Sequence, residues 1–387
     1  MKRRVVILIV VLLFIWNALP CAALDVNPAT DRDFDVPCQA AILIDEDSGT
    51  VLYEENADES RPIASITKVM TLLLTFEALE SGKVSLNDIV PVSEHAYHMG
   101  GSQIWLEPGE QLTLDEMLKA ICISSANDAA VAVAEFIGGS EPAFVEQMNA
   151  RAQELGMQNT TFRNACGLDE DGHLSTARDV ALMSREMLLN HPEVENYCTV
   201  WMDSLRGGNT QLVNTNKLLK SYSGITGLKT GTTGKAGVCI SASATRNDLR
   251  LIAVVLGSSS GKERFAAATS LLDYGFAMFE SALVPVPESA PQNLPVQKGE
   301  EPEVELLYTA PERCLAVKGQ GNALQAEIEL PQYLEAPVQK GTVVGKLNIK
   351  NGQGILQICP IVAAKSVDAR SFRGCFRRVV NAMLLTA

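Results

Sequence analysis

The apolar positions between Pro62 and Leu79 recur with helical spacing and cover most of the helix circumference. A helix that is apolar on nearly every side runs through a core. Pro62 suits its first turn because proline has no N–H group to leave unpaired there. Ser81-Gly82-Lys83 follows as a stop. The pattern therefore predicts a buried helix that begins near Pro62, with apolar residues Ile66, Val69, Met70, Leu73, Leu74 and Phe76.

Two β-hairpins are predicted on either side of the helical region. Ala40–Ile44 and Val51–Tyr53 flank an acidic turn that contains Gly49. Near the middle of the chain, the apolar runs 237–245 and 249–257 are separated by a short polar turn. Two apolar runs joined in this way are typical of an antiparallel pair.

Between the hairpins, Thr113 and Glu116 form a capping-box pattern before a helical stripe. That helix stops at Ser124, and the next one starts at once and ends at Gly138-Gly139. Residues 143–190 are predicted to be helical with one interruption at 162–179, where Ser175 or Thr176 would cap the following helix. A short link carrying Ser125 and Asn127 therefore joins two of the predicted helices.

The C-terminal part has a different pattern. After a helix predicted over 263–281, residues 285–302 are rich in proline and glutamate and are interpreted as a linker. Five short strands separated by glycine and proline turns then predict a small all-β domain ending near Lys365. From residue 366 on, four arginines and one aspartate accompany an amphipathic helical pattern. Its apolar face consists of Phe372, Phe376, Val379, Val380 and Met383.

The composition is that of a globular protein, with 47% apolar and 20% charged residues among 387. This length predicts two or three domains. The net charge of −14, without a basic stripe, argues against nucleic acid as the main partner. Lys2, Arg3 and Arg4 precede an apolar run and the small residues near Ala23, so residues 1–23 are interpreted as a cleaved export signal. A lipoprotein signal with Cys21 as the lipid acceptor is the alternative, and Pro20 is a poor neighbour for it.

The cysteines and histidines predict no metal site. Eight cysteines follow the signal without a C-x-x-C pair, so disulfides are permitted in an exported chain but the sequence cannot pair them. The four histidines show no ligand spacing. We predict neither a metal nor a cofactor.

Ser65 and Lys68 are the first candidate pair for chemistry. They lie one turn apart on the predicted buried helix. Burying an ammonium depresses its pKa, and a lysine so depressed can accept the proton of a neighbouring serine. A capping serine beside a surface-directed lysine is the alternative explanation, and S-x-x-K alone favours it.

Two more motifs follow in the chain. Ser125 and Asn127 can present a hydroxyl and an amide to a cleft, although either Asn127 or Asp128 could simply cap a helix. Lys229-Thr230-Gly231, followed by Thr232, precedes the second hairpin. Its charge and hydroxyls suit a carboxylate, and Gly231 lets a substrate backbone approach closely. A solvated strand end is the alternative for this motif alone.

Taken together and in this order, S-x-x-K, S-x-N and K-T-G resemble the low-molecular-mass penicillin-binding proteins, specifically the serine-type D-alanyl-D-alanine carboxypeptidases. The resemblance also includes residues 164–179, 227–244 and 336–341 and covers nearly all of the mature chain. It implies a mixed α/β (α+β) fold of the β-lactamase/transpeptidase type, in which helices flank an antiparallel sheet. The expected domains are a catalytic domain at 31–283, a β-rich stalk at 284–365 and a membrane-associating helix at 366–387.

The resemblance also implies roles for the motif residues. Ser65 would attack the bond between two D-alanines while Lys68 takes its proton, and the N–H groups of Ser65 and Thr232 would form the oxyanion hole. Ser125 and Lys229 would relay the proton to the leaving amine. The substrate would be held by Asn127, Lys229, Thr230, Gly231 and Thr232. No arginine is assigned to the substrate carboxylate.

The implied partners are peptidoglycan stem peptides, β-lactam antibiotics as covalent inhibitors, and the outer face of the cell membrane. Three other enzymes on the same scaffold stay open at this point: a β-lactamase, a transpeptidase and an endopeptidase. A catalytically silent wall-binding protein is the alternative from a different class, and the presence of every motif residue argues against it.

Overall fold

The computed structural model describes residues 36–351, 354–372 and 376. The predicted signal at 1–23 lies outside these residues, and so does most of the predicted tail helix. Among the described residues, no helix is long and apolar enough to cross a bilayer.

A five-stranded antiparallel sheet forms the centre of the N-terminal part, in the order β2-β1-β9-β8-β7. Both predicted hairpins belong to it. Strand β1 is buried along its whole length, because its alternate residues enter the cores on the two faces of the sheet. The strands are β1 (Ala40–Asp45), β2 (Val51–Glu55), β7 (Ile225–Thr233), β8 (Gly237–Arg246) and β9 (Leu249–Ser258). Two small two-stranded sheets pair β3 (Ile89–Val90) with β4 (Leu112–Thr113) and β5 (Met202–Leu205) with β6 (Thr210–Val213).

Helices cover both faces of this sheet. The larger core contains one group of helices and one face of the sheet, and the second core packs the last helix on the opposite face. The helices are α1 (Lys68–Glu80), α2 (Glu94–Tyr97), α3 (Leu114–Ser124), α4 (Asn127–Gly138), α5 (Glu141–Glu154), α6 (Ala177–Asn190), α7 (Glu195–Cys198), α8 (Leu218–Ser221) and α9 (Gly261–Met278). Helix α1 is buried on nearly all sides, as its apolar pattern predicts.

The C-terminal part is all-β, as predicted. A six-stranded sheet has the order β14-β16-β17-β12-β11-β15, and a two-stranded sheet pairs β10 with β13. Their apolar side chains form a third core. The strands are β10 (Phe279–Leu283), β11 (Asn293–Gln297), β12 (Glu303–Tyr308), β13 (Arg313–Val317), β14 (Gln325–Glu329), β15 (Leu334–Glu335), β16 (Val343–Asn351) and β17 (Gly354–Ala363).

The structure differs from the predicted elements at several positions. The helix predicted to run from residue 143 to the interruption at 162 ends at Glu154, because the chain turns at Gly156 with a positive φ. The first buried helix begins as a 3₁₀ turn at Ala64–Thr67, so Pro62 lies before it. Helix α9 ends at Met278, three residues before its predicted end, because residues 279–283 pair as strand β10 with β13. The stretch interpreted as a linker contains β11, which pairs with β12 and β15. Strand β10 depends on a partner about thirty residues later in the chain, whereas β11 pairs both with the neighbouring β12 and with the more distant β15.

Candidate active site

Ser65 lies in the tight turn that precedes α1, and its side chain is half-buried. The residue before it, Ala64, has a positive φ of 50°, which is uncommon for a residue with a Cβ. Such a conformation persists only where the surrounding structure enforces it, and it is found often at functional sites. The turn therefore holds the Ser65 hydroxyl in a conformation that a regular helix start would not give.

Lys68 is fully buried and makes three hydrogen bonds. Its Nζ donates to Ser65 Oγ (2.9 Å), to Asn127 Oδ1 (2.6 Å) and to the Cys166 carbonyl (2.7 Å). Burial lowers the pKa of Lys68 to about 8, although Cys166 and Asp128 oppose the shift. Three donors with three acceptors fit an ammonium, and the lowered pKa makes loss of one proton inexpensive near neutral pH.

The carbonyl of Cys166 belongs to a loop that packs against the Ser65 turn. Asn164 Oδ1 accepts hydrogen bonds from the backbone N–H groups of Cys166, Gly167 and Leu168. Gly167 has φ +83°, and a Cβ there would lie 1.9 Å from the Ala64 carbonyl oxygen. This close approach requires glycine, and it fixes the loop against the strained turn.

Thr67 connects the same turn to a buried histidine. Its hydroxyl lies 2.8 Å from Nε2 of His173, and His173 Nδ1 accepts a hydrogen bond from the Arg163 N–H (3.1 Å). Since Nδ1 is an acceptor, the neutral tautomer with its proton on Nε2 fits both contacts. Burial lowers the pKa of His173 to about 4. The neutral His173 therefore supports the start of the helix through Thr67, which lies two residues after Ser65.

The predicted link between two helices exists as the turn from α3 to α4. Ser125 ends α3 with a left-handed φ of 61°, and Asn127 is the first residue of α4. Asn127 Nδ2 donates to the Gly100 carbonyl (2.6 Å) while its Oδ1 accepts from Lys68. Asn127 therefore joins the buried lysine to the loop at residues 99–110, which we call the rim loop. Within the described part of the chain, the Ser125 hydroxyl makes no hydrogen bond to Lys68 or Lys229.

The third motif lies within edge strand β7. Lys229 is buried and its Nζ donates to the Thr230 carbonyl (3.0 Å). Burial and then the nearby Lys68 charge lower the pKa of Lys229 to about 7. A Cβ at Gly231 would lie 2.8 Å from the Ile63 carbonyl oxygen and 3.0 Å from the Ser65 nitrogen. This glycine lets the strand pass directly beside the Ser65 turn, so the first and third motifs meet.

Arg264 of α9 was missed by the sequence reasoning. Its Nη1 donates to the Gly231 carbonyl (3.2 Å) and the Cys239 carbonyl (3.1 Å) and lies 3.4 Å from Thr232 Oγ1. Its Nε is buried without a hydrogen-bond partner in the described residues, and burial lowers the pKa of Arg264. One signal was available in the sequence. Arg264 occupies a core-facing position of an otherwise apolar helical stripe with Ala267, Ala268 and Leu271.

This arrangement can do a particular kind of chemistry. At one edge of the sheet lie the Ser65 hydroxyl and two buried lysines of lowered pKa, Lys68 and Lys229. Arg264 contacts the same edge from α9. These groups suit attack by a serine on an acyl substrate that carries a negative charge. Among the described residues, no group of three or more histidine, cysteine, aspartate or glutamate side chains is placed to hold a metal ion.

Comparisons with known proteins identify the family to which this chain belongs. Residues 26–260 match the family model described as D-alanyl-D-alanine carboxypeptidase, and residues 279–369 match the C-terminal domain of penicillin-binding protein 5. The D-alanyl-D-alanine carboxypeptidase DacF of Bacillus subtilis (strain 168) is 43% identical over 347 residues, which cover 89% of each chain.

Solved structures extend the likeness to three dimensions. Penicillin-binding protein 5 from Haemophilus influenzae superimposes with a TM-score of 0.77 at 30% identity, covering 87% of this chain and 99% of that one. Penicillin-binding protein D2 from Listeria monocytogenes, in a cefotaxime-bound form, gives a TM-score of 0.59 at 33% identity, covering 64% of this chain and 100% of that one. The chain with this serine, these two lysines and this fold therefore belongs to the D-alanyl-D-alanine carboxypeptidase family.

Proposed function

We propose that this protein is a serine D-alanyl-D-alanine carboxypeptidase that removes the terminal D-alanine from peptidoglycan stem peptides through an acyl-enzyme. The observation that carries the proposal is the 2.9 Å contact between Ser65 Oγ and the fully buried Lys68 Nζ. Family membership supports the substrate class. β-Lactams are proposed as covalent inhibitors, and the cefotaxime-bound relative supports that assignment.

Acylation begins when neutral Lys68 accepts the proton of the Ser65 hydroxyl and Oγ attacks the carbonyl between the two D-alanines. The developing oxyanion is stabilised by the backbone N–H groups of Ser65 and Thr232. Gly231 supports this role for Ser65 and Thr232, since its close approach brings β7 beside the Ser65 nitrogen. The proton then passes to the departing D-alanine amine through Ser125 and Lys229. Since the Ser125 hydroxyl makes no hydrogen bond to either lysine in the described part of the chain, the relay uses water or the substrate itself.

Substrate binding is assigned to the two elements that border this centre. Asn127 orients the acyl side of the peptide from the α3–α4 turn. Lys229, Thr230 and Thr232 face the terminal carboxylate, and Arg264 is added to this group. The sequence assigned no arginine to the substrate carboxylate, and Arg264 takes this role beside Lys229, since its Nη1 lies 3.4 Å from Thr232 Oγ1. Water completes the cycle by hydrolysing the ester at Ser65.

Amidating the terminal carboxylate of a peptide that ends in two D-alanines should lower kcat/KM by about 10²-fold, because a charge-assisted contact is lost. The measurement is D-alanine release by the chain lacking residues 1–23. Arg264→Gln should lower kcat/KM on the free acid and leave kcat/KM on the amide unchanged. Most of the difference between the two peptides should therefore disappear. If the wild-type protein cleaves acid and amide equally well, the carboxylate contact and the carboxypeptidase assignment both fail, and an endopeptidase is favoured.

The acylation rate should rise from about pH 6 to about pH 8, because the base is the unprotonated form of Lys68, whose pKa is about 8. The direction of the pH dependence follows from the charge of the lysine. An amine with a lowered pKa loses its proton as the pH rises, so the reactive fraction grows across this interval. Stopped-flow acylation by a chromogenic cephalosporin measures the profile. A rate that falls over this range would contradict Lys68 as the base.

We further propose that the protein acts outside the cytoplasm, on the outer face of the cell membrane, with the C-terminal β domain as a spacer. Phe372 and Phe376, on the predicted apolar face of the tail, are 86% and 64% exposed in the described residues. Exposed aromatic side chains flanked by arginines suit binding in the plane of an anionic surface.

Truncation after Ser371, which keeps the buried Val367 and its pairing with Val338 in the β domain, should release the protein from anionic vesicles and leave turnover of soluble peptide unchanged. Each arginine near such a surface contributes about 1 kcal/mol, so raised salt should weaken binding of the full-length mature chain. Vesicle sedimentation measures both effects. Equal sedimentation of the truncated and full-length chains would contradict the anchor, and loss of peptide turnover would show that the tail docks on the protein itself.

A further inference from the structure

Trp105 projects from the rim loop into solvent. Its side chain is 74% exposed, the largest exposed fraction among the described large hydrophobic residues that precede the tail. Its backbone has a φ of +54°, in the left-handed region that bulky residues rarely adopt. Exposing the indole to water is unfavourable, and so is a positive φ at a bulky residue. Neither burial nor the backbone preference of tryptophan therefore explains this conformation.

The residues on both sides of Trp105 are held firmly. Ile104 and Leu106 are buried, and the Asp128 carboxylate accepts the N–H of Ile104 (3.1 Å to Oδ2) and of Leu106 (3.1 Å). Arg206 donates to the Ile104 carbonyl (2.8 Å) and to the Trp105 carbonyl (3.3 Å). Two anchored residues that point inward force the side chain between them outward. The indole is therefore held in place by the fold, although it contributes little to the core.

The rim loop is fixed relative to the nucleophile through Asn127. The Asn127 N–H donates to the Ser102 carbonyl (2.7 Å), and its side chain donates to the Gly100 carbonyl (2.6 Å). The same side chain accepts a hydrogen bond from Lys68. Asp128, which anchors both neighbours of Trp105, is the next residue in α4. This short series of contacts attaches the loop that carries Trp105 to Asn127, the residue proposed to hold the acyl part of the peptide.

The charges around Trp105 indicate what kind of group would bind there. Glu110 is neutralised by Arg206, which it meets through two hydrogen bonds (2.5 and 2.8 Å). Glu107 is exposed two residues after Trp105, so the loop together with Arg206 has a net charge of −1. An exposed aromatic face with an exposed carboxylate two residues along the same loop is complementary to an aliphatic chain that ends in a cation.

We propose that Trp105 is a specificity-determining residue that binds the side chain preceding the two D-alanines, where this side chain is long, aliphatic and ends in an amine. The methylene groups would lie against the indole and the ammonium near Glu107. The inference rests on the proposed function, since it assigns a substrate contact at the same site. Trp105 takes no part in the acylation step itself.

Three matched peptides test this proposal with the chain lacking residues 1–23. They are Nα-acetyl-Lys-D-Ala-D-Ala, its Nε-acetylated form and Nα-acetyl-Ala-D-Ala-D-Ala. The wild-type protein should prefer the lysine peptide over the alanine peptide by about tenfold in kcat/KM, and Nε-acetylation should remove part of that preference. Trp105→Ala should abolish the preference and leave kcat/KM on the alanine peptide unchanged. Trp105→Phe should retain part of it, and Glu107→Gln should affect only the lysine peptide with the free amine.

A binding signal provides a second measurement. After removal of residues 1–23, Trp105 and Trp201 are the remaining tryptophans in the sequence. Trp201→Phe therefore leaves Trp105 as the single reporter, and its fluorescence should change on titration with Nα-acetyl-Lys-D-Ala in place of the cleaved substrate. Tyr333→Ala, which removes an exposed aromatic side chain in the C-terminal domain, is the control and should alter neither the preference nor the signal.

Two results would overturn the proposal. One is a Trp105→Ala protein that loses kcat/KM equally on all three peptides, which would mean that the indole only supports the loop. The other is a wild-type protein that cleaves the lysine and alanine peptides equally well. Both results leave D-alanine release intact in the wild type, so they are distinguishable from failure of the proposed function, in which no peptide is cleaved.

Discussion

Ser65→Ala protein is expected to release D-alanine at least about 10³-fold more slowly than the wild type and to form no covalent adduct with a fluorescent penicillin. The hydroxyl is the group that forms the acyl bond, and no other side chain in the described residues occupies its position 2.9 Å from Lys68 Nζ. Because Ser65 is half-buried in a surface-reaching turn, its loss should lower the melting temperature only slightly.

The matched control for this variant is Ser221→Ala, which removes an exposed hydroxyl at the end of α8. It should label and turn over like the wild type. Ser65→Cys provides a second comparison, because a thiol at this position keeps a nucleophile of different reactivity. Persistent labelling of Ser65→Ala at wild-type rate would contradict the assignment of the nucleophile.

Replacing Lys68 should have an effect of similar size. Lys68→Arg keeps a positive charge but cannot provide a base, because arginine stays protonated at any working pH. Lys68→Met removes the amine at nearly constant volume. The acylation rate of both variants should fall by at least about 10³-fold. Lys68→Met should also leave Asn127 Oδ1 and the Cys166 carbonyl without the hydrogen-bond donor that Lys68 provides.

Stability separates a chemical defect from a folding defect in these variants. Thermal unfolding of Lys68→Met is expected to remain cooperative, since the surrounding helix α1 is held by its apolar neighbours. Lys119→Arg, at an ion-paired position on α3, is the control and should acylate normally. A folded Lys68→Met protein that acylates at the wild-type rate would exclude the lysine as the base.

The sequence predicted the elements whose signals are local. The buried course of α1 followed from its apolar residues, and the helix α3 has the predicted capping box between Thr113 and Glu116. The β8–β9 hairpin formed around its Asn247-Asp248 turn, where both residues adopt positive φ. The three motifs were recognisable because each is a short segment with a local structural context of its own, and because their order along the chain can be read directly.

Features that depend on distant contacts could not be predicted. The first three residues of strand β10 were assigned to a helix because the pairing partner, β13, lies about thirty residues later in the chain. Arg264 was overlooked because its role depends on the approach of α9 to Gly231, which no spacing in the sequence records. The same reason applies to the Cys166 carbonyl. A backbone acceptor has no sequence signal, yet it completes the surroundings of the Lys68 ammonium.

The most direct test of the central claim is to locate the covalent bond. The wild-type chain lacking residues 1–23 is incubated with penicillin, digested, and mapped by tandem mass spectrometry, with a parallel sample trapped during turnover of a peptide ending in two D-alanines. We predict a single acyl adduct in both samples, on the peptide that contains Ser65 and at that residue. An adduct on Ser125, on a cysteine or on any other residue, or D-alanine release without an acyl-enzyme at Ser65, would contradict the mechanism.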